Sequence, residues 1–273
     1  MTPTSTPTGT VTPNSYINQL SCSGLTSPYG LAVDNSGNIF ITDRTGTVYK
    51  FPGIGASSPS ATLVISGATT LGHVAVDSSG NVYIVESAAQ SMVWQYDNNL
   101  ASTVGPVSYA AGLNQPNGVA VDPAGNVYVS DIWISDAPSF VVKYNSQAVS
   151  QLTIRDNASL TWLKPYGIAS NSAGTSIYAA CSNYVFFTPD APGAYNYYSG
   201  LNSPQGVAVD PVSGDVYFAD TGNNQVVRYD QTMATLKGTV GSGFSGPTDV
   251  AVDFAGNVYV LDSGHKKVMM YSP

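Results

Sequence analysis

Two residues of this sequence, His73 and Asp249, combine reactive side chains with unusual positions. A phrase of the form Pro-x-Gly-Val-Ala-Val-Asp recurs along the chain, and these two residues stand where other copies have glycine. A histidine beside a carboxylate can hold a metal ion or a water molecule, or it can transfer a proton. The alternative interpretation is that each side chain only makes local hydrogen bonds.

A second set of candidates is the acid that ends the next apolar run of each copy, with a cysteine in the fourth copy: Asp43, Glu86, Asp131, Cys181, Asp220 and Asp262. Five acids on one face would attract cations, and Asp131 or Glu86 could support His73 and Asp249 in holding a metal ion. Because this acid belongs to the repeated phrase, we expect it instead to accept hydrogen bonds from loop amides. His265 is likewise expected to cap its loop.

Aromatic residues form a third set. The residue between proline and glycine of the phrase is Tyr29 in the first copy and Tyr166 in the fourth. Trp133 and Phe140 belong to a lengthened loop of the third copy, and Trp162 shortly precedes the fourth. Such residues could form an aromatic-rimmed pocket for a sugar, a peptide or a flat ligand. Packing between loops is the alternative interpretation.

Composition limits the classes of partner. The chain has 273 residues, a net charge of −8 and only nine Lys and Arg residues, without a basic cluster. Nucleic-acid binding and attachment to anionic membranes are therefore disfavoured. No apolar run approaches the ~20 residues that span a bilayer. A charged fraction of 10%, with a surface of Ser, Thr, Asn and Gly, suits a secreted or cell-surface (extracytoplasmic) bacterial or archaeal protein.

The N-terminal segment suggests one domain of a longer protein, and the two cysteines are expected to be unpaired. Residues 1–14 have no basic start or apolar centre and resemble a Thr/Pro-rich linker or disordered tail. Residues 15–273 are expected to form a single domain, monomeric within a multidomain protein. Cys22 and Cys181 fall in different copies of the repeat, so we do not expect them to form a disulfide.

The repeats themselves predict the fold. Six copies begin at 39–49-residue steps: Pro28, Leu71, Pro116, Pro165, Pro204 and Pro247. Each copy reads as a buried β-branched strand, a turn of the Asp-Ser-Ser-Gly-Asn type, a second strand and two further strands, without a helical period. A period in the forties made only of strand signals indicates an all-β propeller with four-stranded antiparallel blades.

The two ends of the chain predict how the ring closes. The sixth copy stops at Pro273, directly after its third strand. The segment that precedes Pro28, residues 15–24, reads like the fourth strand of a blade but has no earlier blade to join. We therefore expect it to complete the sixth blade, which removes two open sheet edges.

The phrase, as in PQGVAVDPVSGDVYFADTGNNQVVRY, resembles the NHL repeat. The resemblance covers about residues 16–273, with worn second and fourth copies, and implies a six-bladed β-propeller. The family also contains amidating lyases whose metal sites use several histidines, whereas this chain has two, His73 and His265. By analogy with related propellers, the face where the first strands begin is the ligand surface.

Two functions remain open at this level. The first is a binding module without catalytic activity or cofactor, which engages a protein, peptide or carbohydrate through the loop-rich face. The second is a metal-assisted lyase or lactonase-like hydrolase with a divalent ion in the axial channel, held by His73 and Asp249. RNA binding is disfavoured by the acidic balance.

Overall fold

The protein forms six antiparallel sheets arranged as the blades of a propeller. The computed structural model describes residues 15–22, 24–65, 68, 70–88, 91–103, 109, 113–132, 140–155, 164–189 and 196–273. Within this part of the chain, one 3-10 turn (Thr221–Asn223) is the only helical element. The predicted fold class, an all-β propeller of six blades, is therefore confirmed.

The strands follow the repeat closely, and each blade is read from its first strand outward. The chain enters through β1 (Tyr16–Ser21). Blade 1 contains β2 (Pro28–Val33), β3 (Ile39–Asp43), β4 (Thr47–Phe51) and β5 (Ala61–Val64). Blade 2 contains β6 (Leu71–Val76), β7 (Val82–Glu86) and β8 (Met92–Tyr96). Blade 3 contains β9 (Pro116–Val121), β10 (Val127–Asp131), β11 (Phe140–Tyr144) and β12 (Ser150–Arg155).

The remaining three blades repeat this order. Blade 4 contains β13 (Pro165–Ser170), β14 (Ser176–Cys181), β15 (Tyr184–Pro189) and β16 (Asn196–Ser199). Blade 5 contains β17 (Pro204–Val209), β18 (Val216–Asp220), β19 (Gln225–Tyr229) and β20 (Leu236–Val240). Blade 6 contains β21 (Pro247–Val252), β22 (Val258–Asp262) and β23 (Lys267–Tyr271), and β1 pairs with β23. At the outer edge of blade 2, the described residues include an isolated bridge between Val93 and Tyr109.

The core lies between blades rather than inside any one of them. Side chains of a strand point alternately to its two faces, and in these blades both faces are covered. In β3, Ile39 and Ile41 pack in the layer shared with blade 6, while Phe40 packs in the layer shared with blade 2. Six such apolar layers of described residues join neighbouring blades around the ring. Each blade is therefore stabilised by its neighbours.

Hydroxyl groups add polar links between some blades. The Thr42 hydroxyl accepts from the amide of Gly30 (2.9 Å) and donates to the carbonyl of Gly72 in the next blade (2.7 Å). Ser130 makes the same pair of bonds from blade 3 to blade 4, both at 2.7 Å. These bonds satisfy backbone groups at the first strands and fix how adjacent blades meet.

The ring closes through the N-terminal strand, as the sequence predicted. β1 pairs antiparallel with β23, with Leu20 opposite Val268. Leu20 is 0% exposed and belongs to the apolar layer between blades 6 and 1. A further bond joins the Ser272 amide to the Ser15 carbonyl (2.9 Å). Both ends of the described chain therefore lie together at the face opposite the starts of the first strands.

Turns between first and second strands are held by the aspartate that ends each phrase. In blade 1, Oδ1 of Asp34 accepts from the amides of Ser36 (2.9 Å) and Asn38 (2.8 Å). Gly37 in this turn has a φ of 80°, which favours glycine. Asn171 replaces the aspartate in blade 4 and makes similar bonds to Thr175. The turn prediction is confirmed, and these acids are structural.

Two further expectations concern single features. Cys22 is buried between blades 6 and 1 and Cys181 between blades 3 and 4, so the two do not form a disulfide with each other, as the sequence predicted. Burial raises the pKa of the Cys22 thiol to about 12, so the thiolate form is disfavoured. Among the described residues, no helix is long and apolar enough to span a bilayer.

Candidate functional site

The candidate site lies at the axis of the ring, where the first strands begin. First strands of neighbouring blades contact each other: β2 contacts β6 and β21, and β13 contacts β9 and β17. Since all first strands run in the same direction, their Pro-x-Gly phrases lie at one face. Loops between second and third strands end at the same face, which we call the loop face.

His73 and Asp249 meet at this level, although blade 1 stands between their own blades. Nδ1 of His73 lies 2.9 Å from Oδ2 of Asp249, and both residues are 4% exposed. Asp249 also accepts from the amides of Leu31 (2.7 Å to Oδ2) and Val250 (2.9 Å to Oδ1). An ionised carboxylate only accepts hydrogen bonds, so the proton between the two side chains belongs to Nδ1 of His73.

The other ring nitrogen of His73 is unsatisfied. Nε2 is buried and has no hydrogen-bond partner among the residues that the structure describes, and the same holds for Oε1 of Gln205 in the phrase of blade 5. The site therefore contains two buried polar atoms without a partner among the described residues, a ring nitrogen and an amide oxygen, and native proteins rarely leave such atoms unpaired.

Tyr29 connects this pair to the loop face. Its ring lies against the His73 ring, with centroids 4.8 Å apart, and its hydroxyl donates to Oδ1 of Asn117 (3.0 Å). The guanidinium carbon of exposed Arg44 lies 3.7 Å from the Tyr29 ring centroid, a cation–π arrangement. Burial raises the pKa of Tyr29 to about 12, against the opposing effect of Arg44. The hydroxyl therefore stays protonated and acts as a donor.

Compensating changes in the backbone make room for the histidine. In blade 2, glycine moves one position earlier, to Gly72, and a Cβ there would lie 2.2 Å from the Asn117 carbonyl oxygen. The close approach of blades 2 and 3 thus depends on Gly72. Position 73, where four other copies have glycine, can therefore carry a histidine side chain. The exchange of Gly and His between neighbouring positions is the sequence signal for this local difference.

Asp249 in blade 6 depends on a glycine in blade 5. A Cβ on Gly206 would lie 2.1 Å from Oδ1 of Asp249 and 2.5 Å from its Cα. Contacts under 3.0 Å are not tolerated without movement, so only glycine fits beside this carboxylate. The orientation of Asp249 toward His73 and Leu31 is therefore fixed from both sides.

The ring of acids at the ends of the second strands holds the loops of this face. Asp43, Glu86, Asp131, Asp220 and Asp262 are all 0% exposed. Oδ2 of Asp43 accepts from the amides of Thr26 (2.6 Å) and Ser27 (3.0 Å). Asp131 accepts from the amides of Asn114 (2.8 Å) and Gln115 (2.6 Å). The structural interpretation of these acids, as acceptors for loop amides, is confirmed.

His265 has the capping role that the sequence predicted. Its Nδ1 lies 2.8 Å from Oδ2 of Asp262, while about half of its side chain is exposed. In blade 5, Nδ2 of Asn223 donates to Oδ2 of Asp220 at the same distance, 2.8 Å. A histidine and an asparagine thus satisfy equivalent buried carboxylates in neighbouring blades.

Asp43 shows how these bonds act on the acid. Burial would raise the pKa of its carboxyl, but hydrogen bonds from Thr45, Ser27 and Thr26 favour the ionised form. The balance holds the pKa below its ordinary value. Asp43 therefore remains an acceptor, and its protonation for general acid chemistry is disfavoured near neutral pH.

The aromatic candidates have different surroundings. Tyr29 is 2% exposed, so it packs within the site rather than lining an open pocket, while Tyr166 is half-buried. Phe140 begins β11, where its backbone pairs with Asp131. Trp133 and Trp162, and the side chain of Phe140, lie outside the described residues. The predicted aromatic rim stays a prediction for these three side chains.

Three residues at the site were missed by sequence reasoning: Arg44, Asn117 and Gln205. Asn117 and Gln205 occupy the variable position of the phrase, as Tyr29 and Tyr166 do, so comparing that position in all copies would have found them. Arg44 directly follows the buried acid of blade 1. Its position over Tyr29 depends on the conformation of its loop, which no repeated pattern specifies.

Binding of a divalent metal ion would require several free ligand atoms at this site. Asp249 already accepts three hydrogen bonds, from His73, Leu31 and Val250, and ligation would displace them. Nε2 of His73 is then a single ligand atom, whereas zinc sites in proteins use at least three protein ligands. The described residues contain no group of three or more His, Cys, Asp or Glu side chains arranged to hold a metal ion. These residues do not fit a metal centre.

Together, these features define a six-bladed β-propeller with a buried polar site at the axial mouth. The family model for the NHL repeat matches residues 113–136 and 201–229, which belong to the third and fifth copies. The third and fifth copies of the repeat therefore match the NHL repeat, and the chain forms a six-bladed β-propeller. No curated protein sequence matches it significantly.

Solved structures share the fold at low sequence identity. A chain of a nidogen/laminin complex is 18% identical, with a TM-score of 0.64, over 78% of this chain and 79% of that chain. A streptogramin B lyase is 12% identical, with a TM-score of 0.65, over 94% and 97%. The virginiamycin B lyase from Staphylococcus aureus is 13% identical, with a TM-score of 0.64, over 94% and 98%. These similarities establish the architecture and leave the activity open.

Proposed function

We propose that the protein is a binding module without catalytic activity, which engages a protein, peptide or carbohydrate ligand through the loop face. The observation that carries this proposal is the fastening of the loops to buried carboxylates. The acids that could have acted in catalysis are occupied as acceptors, as Asp43 and Asp131 are. A rigid set of loops around a mouth favours recognition, because little conformational entropy is lost on binding.

The side chains at the mouth support the same proposal. Arg44 is exposed, and Tyr166, Gln205 and Thr248 are half-buried. Arginine and tyrosine are enriched in binding surfaces, because each combines a broad apolar face with polar groups at its edge. The ends of the described chain lie at the opposite face, so neighbouring domains attached there would leave the mouth accessible. One similar structure, a nidogen/laminin complex, is by its name a protein–protein assembly.

Catalysis is the second candidate, and one observation favours it. His73 has the arrangement of a general base, with Nδ1 fixed by Asp249 and Nε2 unpaired among the described residues. Two similar structures are lyases by name. Against this, the site does not fit a metal ion, and the other acids of the face serve as loop caps. The metal-assisted lyase or lactonase-like hydrolase is therefore the weaker proposal.

The two candidates can be separated by one set of measurements. The purified protein would be screened against peptide and glycan arrays and analysed for bound metal. We expect binding that Arg44→Glu abolishes and that Phe254→Ser, an exposed residue in a turn of the opposite face, leaves unchanged. A stoichiometric divalent ion that is lost in His73→Ala would overturn the binding proposal in favour of the enzyme. Absence of binding to both arrays would also contradict it.

Location is part of the same proposal. We place the protein outside the cytoplasm of a bacterium, at the cell surface or secreted, as one monomeric domain of a larger protein. The support is compositional: only 10% of residues are charged, and Ser, Thr, Asn and Gly supply the polar surface. Fractionation of the native host, with the protein found in the cytoplasm, would contradict this placement.

A further inference from the structure

We propose that Lys50 and Asn98 become joined by an isopeptide bond, formed between Nζ of the lysine and Cγ of the asparagine with release of ammonia. Lys50 lies near the end of β4 and Asn98 follows β8, so the bond ties blade 1 to blade 2. This modification of the chain does not depend on the proposed binding function. Nζ of Lys50 contacts the Asn98 side chain directly, and that contact carries the proposal.

The lysine is a buried cation whose hydrogen bonds go to this asparagine. Lys50 is 7% exposed, and its Nζ donates to the backbone oxygen of Asn98 (2.9 Å) and to Oδ1 of the same residue. Among the described residues, no carboxylate forms an ion pair with Nζ. Burial of an ammonium group without an opposite charge is unfavourable, so a reaction that removes this charge is favoured.

Blade 5 shows how the chain satisfies a cation at the equivalent position. Lys50 and Arg228 both stand in a third strand, opposite the aromatic residue of the second strand. Nε of Arg228 donates to Oδ2 of Asp215 (2.7 Å), which is 2% exposed. Blade 1 has the uncharged Asn38 at the place of Asp215 in the turn. Lys50 therefore meets a carboxamide where Arg228 meets a carboxylate.

The side-chain amide of Asn98 is polarised for attack by an amine. Its Oδ1 accepts from Lys50, while its Nδ2 donates to Oδ2 of Asp34 (2.9 Å). Burial would raise the pKa of Asp34, but hydrogen bonds from Asn38, Asn98 and Ser36 hold it below its ordinary value, so the carboxylate is ionised. A donor at Oδ1 makes Cγ more electrophilic, and the carboxylate stabilises positive charge that develops on the departing nitrogen.

The reaction balances without an oxidant, a reductant or a cofactor. Nζ of the amine forms a bond to Cγ of Asn98, and the bond between Cγ and Nδ2 breaks. One proton passes from Nζ to Nδ2, which leaves as ammonia. When Lys50 begins as an ammonium ion, its additional proton leaves with the ammonia as ammonium, so the total charge is conserved. Because both groups belong to one fold, their proximity replaces chemical activation of the amide.

A cleft beside Asn98 allows the ammonia to leave. It has a volume of about 220 Å³ and is lined by Asp34, by Asn98 and by the turns between first and second strands of blades 1 and 2. It lies at the face opposite the loop face. Its lining is polar and its volume is sufficient for water, which can take up the released ammonium.

Intact-protein mass spectrometry under denaturing conditions tests the bond directly. The wild-type protein should be lighter than its sequence by the mass of one ammonia molecule. A tryptic digest should contain a branched peptide that joins Lys50 to Asn98, without cleavage after Lys50. Lys50→Met and Asn98→Ala should each have the full mass of their sequences. Because the wild-type measurement needs no variant, a variant that fails to fold leaves the test intact.

Blade 3 supplies a matched control lysine. Lys143 lies opposite Tyr128, as Lys50 lies opposite Phe40. Ser146, which has no side-chain carbonyl, stands in the turn at the place of Asn98. Lys143→Met should therefore keep the ammonia loss that Lys50→Met abolishes.

The role of Asp34 as a positioning residue has its own control in Asp77. Each aspartate holds the turn of its blade through bonds from two amides to Oδ1. In addition, Asp34 accepts from Nδ2 of Asn98. Asp34→Asn should slow the reaction and leave part of the chains at full mass, whereas Asp77→Asn should lose ammonia completely. Equal conversion of the two variants would contradict the role of Asp34.

Three results would overturn the proposed bond. One is a wild-type protein with the full mass of its sequence. Another is an ammonia loss that persists in Lys50→Met, because it would come from cyclisation of an asparagine onto its own backbone. The third is a branched peptide that joins Lys50 to a residue other than Asn98.

Discussion

The backbone amide of Leu31 donates a 2.7 Å hydrogen bond to the carboxylate of Asp249, which joins blade 1 directly to blade 6. The two residues are 218 positions apart in the chain. The same oxygen of Asp249 accepts a hydrogen bond from Nδ1 of His73. Asp249 therefore both orients His73 and joins blade 6 to blade 1, where the ring closes. The geometry of the candidate site thus depends on closure of the ring.

Closure predicts a large difference between two truncations. Removing residues 1–24 deletes β1 and with it Leu20 and Cys22, which are buried between blades 6 and 1. It also exposes the edge of β23. We expect the melting temperature of the whole propeller to fall sharply, whereas removal of residues 1–13 should change it little. The point variant Leu20→Ala should cost about 2–5 kcal/mol. Equal melting temperatures for the two truncations would contradict the closing role of β1.

A second prediction concerns the glycine beside the site. Gly206→Ala should destabilise the protein by about 1–3 kcal/mol or more, because its Cβ would lie 2.1 Å from Oδ1 of Asp249 and 2.5 Å from its Cα. Gly24→Ala is the matched control, since no atom lies within 4 Å of a Cβ there. Chemical denaturation would compare the two variants. A loss of stability in Gly24→Ala as large as in Gly206→Ala would refute the packing argument.

The fold could be predicted from the sequence because the same pattern of strands and turns is repeated in six copies. Strands such as β3 begin with a continuous apolar run, Ile39 to Ile41, which is expected when both faces of a sheet are covered, and the number of copies of the phrase gives the number of blades. The closing strand was predictable for the same reason: the Ser-Gly-Leu-Thr-Ser-Pro approach to Pro28 resembles the approach to Pro204.

The candidate site was only partly predictable. Substitution of His73 and Asp249 for glycine marked both residues as exceptional, but nothing in the sequence showed that Leu31 and Val250 would occupy the same carboxylate. Backbone amides are present at every position, so their donation depends on local geometry alone. The placement of Arg44 over Tyr29 depends in the same way on a single loop. Contacts of this kind, which occur in one blade only, cannot be predicted from the repeats of a single sequence.

The acids of the loop face predict a pH dependence of stability. Burial would raise the pKa of Asp43, but its hydrogen bonds outweigh this and hold the pKa below the ordinary value of about 3.9. The stability that Asp43 contributes is therefore present above the ordinary value and lost as the pH falls through the folded-state pKa. Asp43→Asn should be destabilised at pH 7 and should converge with the wild type as the pH falls through the folded-state pKa of Asp43. Melting temperatures measured across this range would show the convergence, and a constant difference would contradict it.

The exposed histidine predicts a substitution that the protein tolerates. His265 and Asn223 each donate to a buried carboxylate at 2.8 Å, Asp262 and Asp220 respectively. His265→Asn should therefore keep the free energy of unfolding within about 0.5 kcal/mol of the wild type. His265→Ala should lose about 1 kcal/mol, because one donor to a buried acid is removed. Urea denaturation at pH 7 would measure both. If the asparagine variant lost as much stability as the alanine variant, the two capping side chains would not be equivalent.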